Sequence, residues 1–394
     1  MASRSLPLRS DARVMTVRIA VVALLGCAMA ACASLVAPVY HGALSDHFDG
    51  RRFHNSVRFR DSQIEDALRR AGREILRRRG KWPEWEDVVT DVPPRRVGGG
   101  ALRVTFVNHA TVLIQVDSLN ILTDPVWSQR VSPFRWYGPK RHRPPGIRFE
   151  DLPPIDVVLL SHNHYDHMDL ATLRRLVAAH HPLIITGLGN AAYLARNEVP
   201  GARDIDWWQT ISIRPGLRIT GVPAQHWSAR SITDKWRTLW LGFVVEGAGA
   251  PIYFAGDTGF GEFFRQIRER FGPFRFAMLP IAPQRPREAM APRHMSASDA
   301  VRAYEVLDVG AAMALHFGTF QQGSDSEREP VDSLRQAIHD AEPCAAHFRA
   351  LRNGEAWSVP PLERTTRSTS CARHTAAQPG RLRENAYVNP ASSR

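Results

Sequence analysis

The sequence predicts an α/β fold, a layered sandwich with mixed sheets. Short apolar runs of strand length begin at Leu102, first as a meander and then alternating with helical patterns. The 394 residues, 44% hydrophobic and 23% charged, are enough for a full core and exclude a disordered, fibrous or collagenous chain. In order, Leu102 to Val107, Thr111 to Val116 and Leu119 to Leu122 read as strands, with Asp117 and Ser118 as the turn between the second and third. Val157 to Leu160 is a strand, Leu170 to Ala179 a helix and Leu183 to Thr186 a strand. Strands follow at Leu217 to Val222, Leu239 to Val245 and Ile252 to Ala255. Helix and strand then alternate: Phe260 to Phe271, Ala277 to Ile281, Ala297 to Leu307 behind Ser296 as cap, Ala312 to Leu315, and Val331 to Ala341.

The ends differ from this middle. Residues 1–32 carry Arg4, Arg9, Arg13 and Arg18 and then the uncharged run Ile19 to Ala31, a basic region before an apolar one. Thirteen residues make a helix of about 20 Å against a hydrocarbon core of roughly 30 Å, so an export signal is the better reading than a span. Met15 would also serve as the start of a compact signal. Leu24 to Cys27 and Met29 to Cys32 each resemble a bacterial lipobox, so the expected location is the cell envelope, periplasm or outer membrane, with a lipid anchor; a simple signal peptide or an uncleaved anchor is the competing reading. Residues 33–100 form a polar, arginine-rich arm with a helical stretch around Ile64 to Arg79, residues 101–362 the folded domain, and residues 363–394 a disordered basic tail. Of the net charge of +12, residues 1–32 hold +3 and the tail +4, which leaves too little on the domain to favour nucleic acid. The four cysteines form no CxxC pair, which excludes a thiolate metal site or redox couple of that kind.

The chemistry is concentrated in Ser161-His162-Asn163-His164-Tyr165-Asp166-His167-Met168-Asp169, directly after a predicted strand. Three imidazoles and a carboxylate within six residues suit Zn, Fe or Mn, and a loop at a strand end can fold around ions.

HxHxDH after a strand resembles the metallo-β-lactamase superfamily, which implies an αββα sandwich of two mixed sheets with helices outside. On that resemblance the other ligands are His226, Asp257 and His316, each behind a predicted strand. His162, His164 and His226 would hold one divalent ion, Asp166, His167 and His316 the other, and Asp257 would bridge them, zinc being the expected metal. Two such ions about 3.5 to 4 Å apart acidify a shared water, so hydroxide rather than a side chain is the expected nucleophile. Tyr165 and Asp169 are candidates for orienting ligands, or else a structural tyrosine and a helix N-cap.

Over roughly residues 100–357 the chain is similar to the N-acyl phosphatidylethanolamine-hydrolysing phospholipase D family. The matching strings include Asn108-His109-Ala110-Thr111, Leu122-Thr123-Asp124-Pro125, Gly138-Pro139-Lys140-Arg141, Asp206-Trp207-Trp208, Gln225-His226-Trp227 and His316-Phe317-Gly318-Thr319-Phe320. The resemblance implies a phosphodiesterase acting on a phospholipid, with Asp166 and Asp257 catalytic, Asp124 supporting the ligands, and His294 beside the metals as a phosphate contact or acid. His109 is expected either to face the site or to be a hydrogen-bonded core histidine. Residues 126–146 carry Arg130, Arg135, Lys140, Arg141 and Arg143 without an acid, among Trp127, Phe134, Trp136 and Tyr137, a composition suited to a membrane surface. Between Ile281 and His294 the sequence departs from the vertebrate members. A lactonase or other ester hydrolase is the alternative, and a non-catalytic metal-binding envelope protein the alternative of another class.

Overall fold

A computed structural model describes residues 36–57, 80–247, 249–341 and 345–362. The export segment, the stretch Ile64 to Arg79 and the tail lie outside the described residues. Two seven-stranded sheets stack face to face with helices outside. The first sheet contains β1 (Leu102–Asn108), β2 (Thr111–Val116), β3 (Leu119–Thr123), β4 (Val157–Leu160), β5 (Leu183–Gly187), β6 (Arg203–Ile205) and, at the other edge, β14 (Ala356–Val359), in the order β14-β1-β2-β3-β4-β5-β6. The second contains β7 (Thr210–Arg214), β8 (Leu217–Val222), β9 (Gly242–Glu246), β10 (Ile252–Phe254), β11 (Phe274–Pro280), β12 (Val309–Leu315) and β13 (Phe348–Arg349), in the order β13-β12-β11-β10-β9-β8-β7. Each sheet is antiparallel through its first connected strands and becomes parallel after them, at β3-β4 and at β10-β11.

Burial on both faces explains why the central strands are apolar without interruption. In β4, Val157 and Leu159 enter the core between the sheets, whereas Val158 and Leu160 join a second core under α1 (Leu170–His180) and α2 (Asn190–Arg196). On the other side α3 (Phe263–Phe271) and α5 (Ala297–Leu307) cover the second sheet, with the short α4 (Arg287–Met290) between them in the chain and α6 (Glu329–Ala341) after them. Ser296 and Asp299 close α5 with a reciprocal capping box.

Two predicted elements begin later than expected. The strand expected from Leu239 begins at Gly242, because Leu239 and Leu241 spend their N–H groups on the carbonyls of Leu188 and Ser161 instead of on the sheet. The helix expected from Phe260 begins at Phe263, since the Gly259 N–H is held by the Gln225 carbonyl.

The described parts of the arm lie against the domain. Phe48 and Phe53 are buried in the core between the sheets, His47 stacks 4.4 Å from Trp207, and Asn55 reaches the backbone of His226.

Candidate metal centre

The loops that leave the carboxyl ends of β1, β3, β4, β8, β10 and β12 meet at one end of the sandwich and bring His109, Asp124, the His162–His167 segment, His226, Asp257 and His316 together. Three of these, His109 (φ 46°), Asp124 (φ 30°) and His316 (φ 64°), have left-handed backbone conformations, which few non-glycine residues adopt. The His316 N–H donates to the His109 carbonyl at 2.8 Å and so ties the two sheets together here.

Hydrogen bonds assign the histidine tautomers. Asp124 accepts from the Ser161 N–H (2.7 Å), the Ser161 hydroxyl (2.6 Å) and His167 Nδ1 (2.6 Å). With its proton committed to Asp124, the Ser161 oxygen accepts from His162 Nδ1 at 2.9 Å. His226 Nδ1 donates to the Arg293 carbonyl at 2.9 Å. In all three rings the neutral tautomer carries its proton on Nδ1, which makes Nε2 the atom that can bind a metal.

Two groups of donors result. His162 Nε2 and His226 Nε2 lie 2.8 and 3.2 Å from His164 Nδ1. Beside them, His167 Nε2, His316 Nε2 and His109 Nε2 surround Asp166 Oδ2 at 3.0, 3.3 and 2.9 Å. Asp257 Oδ2 lies between the groups, 2.9 Å from His316 Nε2, 3.3 Å from His167 Nε2 and 3.7 Å from His226 Nε2. Buried nitrogens of His167 and His316, and Asp257 Oδ1, make no hydrogen bond despite these distances. Buried polar atoms without partners are costly. Orphaned donors aimed at a common centre therefore fit divalent cations, and imidazole with carboxylate suits zinc, iron or manganese.

The electrostatics agree. Burial, then neighbouring imidazoles, hold His162 and His164 well below the ordinary histidine range, and burial pushes His226 down to about 4. Burial also opposes charge on His167 and His316, but Asp257 and Asp166 outweigh it, leaving His167 raised and His316 at about 9. Burial would raise Asp257 and Asp166 too, yet the surrounding histidines hold both well below the carboxylate range. A cation would displace the protons from His167 and His316 and take over their pairing with the two carboxylates.

All seven residues singled out as ligands are thus brought together, and His294 joins them, with Nδ1 3.7 Å from Asp257 Oδ2. His109 faces the site and bonds Asp166. Asp169 is the N-cap of α1 and also receives the N–H groups of Trp127 and Ser128, so it secures the 126–146 loop. Tyr165 donates to the Arg230 carbonyl beneath that loop. The sequence reading missed Asn55, whose side chain brackets the His226 backbone at 2.8 and 3.1 Å, and Gln322, which donates to Asp166 Oδ2 at 2.8 Å. Neither carries a local signal, since each acts across more than 150 residues. A cavity of about 280 Å³ opens on the centre, walled by His164, Asp257, His294, His316, Trp227 and Arg293.

An αββα sandwich with this donor set at its loop end defines a metal-dependent hydrolase of the metallo-β-lactamase fold. The model of the β-lactamase superfamily domain matches residues 119–317, and the chain belongs to that superfamily. A Caenorhabditis elegans protein named N-acyl-phosphatidylethanolamine-hydrolyzing phospholipase D 1 is 34% identical over 272 residues, 66% of this chain and 76% of its own. An uncharacterized protein of Mycobacterium tuberculosis is 38% identical over 247 residues, and the match spans 61% of this chain and 64% of that relative's length. Among solved structures, Igni18, a metallo hydrolase from Ignicoccus hospitalis, has the same fold at 20% identity and a TM-score of 0.52, over 66% of this chain and all of its own.

Proposed function

We propose that the protein is a dinuclear phosphodiesterase that cleaves a phospholipid of the N-acyl phosphatidylethanolamine type at a membrane surface. Bound divalent metals would supply a Lewis acid and a water acidified toward neutrality. His162, His164 and His226 would hold one ion, Asp166, His167 and His316 the other, and Asp257 both. Asp124 keeps His162 and His167 in the ligating tautomer, and Asn55 fixes the backbone of His226. His294, on the cavity wall and kept neutral by burial, is placed to hydrogen-bond a phosphate oxygen.

The observation that carries the lipid half is the 126–146 loop. Phe134, Trp136 and Tyr137 are 48, 76 and 66% exposed, beside exposed Arg135 and Lys140 and half-buried Arg130. Isolated exposed aromatics are ordinary, but three adjacent ones flanked by cations suit a headgroup layer. Arg141 and Arg143, expected to belong to this cationic surface, do not. Arg141 is fully buried and donates to the carbonyls of Ser128, Val126 and Arg143, and Arg143 is paired with Glu86 and Glu327. Next to the loop, a groove of about 740 Å³ lined by Trp127, Arg130, Arg135, Tyr165 and Leu170 shares Tyr165 with the metal cavity and would take the lipid body.

The test compares metal-replete protein on anionic phospholipid vesicles and on a small soluble phosphodiester. Replacing Trp136 and Tyr137 with Ser should depress vesicle turnover and spare the soluble ester. An equal loss on both would refute the interfacial role. Attachment to the envelope through Cys27 or Cys32 is part of the same proposal, and mass spectrometry of the mature N-terminus tests it. Among the described residues, no helix is long and apolar enough to cross a membrane.

A further inference from the structure

We propose that Arg293 is a specificity-determining residue that pairs with a second anionic group of the substrate, beyond the scissile ester, and rejects substrates carrying a cation there. The inference rests on the phosphodiesterase reading above. Arg293 lines the metal cavity together with Asp257 and His294, and its guanidinium carbon lies 5.4 Å from the centre of the Trp227 ring. Its backbone is pinned on both sides: the N–H donates to the Met290 carbonyl at 2.9 Å, and the carbonyl accepts from His226 Nδ1. The root of the side chain is therefore fixed to a candidate ligand.

Other arginines nearby have their charge or donors satisfied. Arg287 pairs with Asp299, Arg143 with two glutamates, and Arg230 donates to the carbonyls of Asn163 and Met168. Among the described residues no carboxylate forms an ion pair with Arg293. The two acids of the cavity, Asp166 and Asp257, are already surrounded by His109, His167, His316 and Gln322. Burial lowers the Arg293 guanidinium to about 10, so it remains charged at neutral pH, and its charge acts on His226 and His294. A half-buried guanidinium without a counter-ion is costly to keep, and its planar donors match carboxylate and phosphate oxygens. The substrate would supply that counter-ion through an anionic group on its N-acyl portion, since an N-acyl phosphatidylethanolamine-type headgroup carries no other charge beyond the diester. For the same reason, a quaternary or primary ammonium beside Arg293 would meet repulsion.

Three glycerophosphodiesters whose headgroups carry a cation, no charge or a carboxylate test the proposal: glycerophosphocholine, glycerophosphoglycerol and N-succinyl-glycerophosphoethanolamine. Turnover is measured on the diesters. Dissociation constants are measured by calorimetry on the corresponding phosphonates, in which a methylene replaces the scissile oxygen, with metal content determined for every sample. Wild-type protein should bind the carboxylate member best and the choline member worst. Arg293→Gln should weaken the carboxylate member by about ten- to a hundredfold, as for loss of a charge-assisted hydrogen bond, and leave the choline member unchanged or improved. Arg293→Lys should keep most of the ranking. An equal loss on all three, or no change on any, would overturn the proposal. If wild-type protein turns over none of the diesters yet binds the carboxylate phosphonate through Arg293, the phosphodiesterase reading fails and the charge selection stands.

Discussion

Asp124 shows how much one residue can carry. It touches neither cavity nor substrate, yet a single carboxylate sets the Ser161 hydroxyl and His167, and through Ser161 the His162 ring. Asp124→Ala should therefore lower metal affinity roughly ten- to a hundredfold, the usual cost of losing a group that orients ligands, and competition with a chromogenic chelator would measure it. Asp257→Asn acts at the ligands themselves. It should release metal on elemental analysis and reduce turnover by roughly a hundredfold or more, as for loss of a preorganised charge at a reacting centre. Near-native activity with full metal content would remove Asp257 from the assignment. The ligands were legible because HxHxDH places four donors on one loop. Asn55, Gln322 and the unpaired state of Arg293 were not, because each depends on which distant segment the fold lays beside it.

The strands divide in the same way at the scale of elements. β2, β4 and β8 have the ends their apolar runs suggested, whereas β6, β7, β13 and β14 were not seen at all. These four are the edges of the two sheets. An edge strand is half solvated and short, as the exposed alternate residues of β7 and β14 show, so its pattern fades into that of a loop. The turn after β10 carries its own constraint. Gly256 has a φ of 59°, and a Cβ there would lie 2.5 Å from the Cβ of Ser161, in the ligand loop of the other sheet. Gly256→Ala would combine about 1 to 2 kcal/mol of left-handed strain with that collision. It should lower both the melting temperature and the metal content, and calorimetry with elemental analysis would check the pair. A variant that loses stability but keeps its metal would show that the turn is a structural device only.

In the whole molecule, the candidate ligands come from both sheets: His162, His164, Asp166 and His167 from the first, His226, Asp257 and His316 from the second. A metal centre built this way is also a cross-link. Two ions each present at about a hundred times their dissociation constant would add roughly 5 kcal/mol, and a domain of this size gains about 2 to 4 °C per kcal/mol. Chelation should therefore lower the melting temperature by roughly 10 °C or more, reversibly on returning zinc, and scanning calorimetry would show it. The layered fold could be read from composition and period, but not the clasp of the arm on the domain, because polar segments reveal their docking only through contacts such as Asn55 with His226. That contact separates two meanings of the word domain. The stretch shared with the superfamily, residues 119–317, is a unit of inheritance; the bond of Asn55 to the His226 backbone predicts a unit of function that begins before residue 55. A shortened protein starting at Ala101 would keep every candidate ligand and both sheets, and should give an ordinary far-UV spectrum. It should nevertheless hold its metal loosely at His226, a folded heirloom without its working grip.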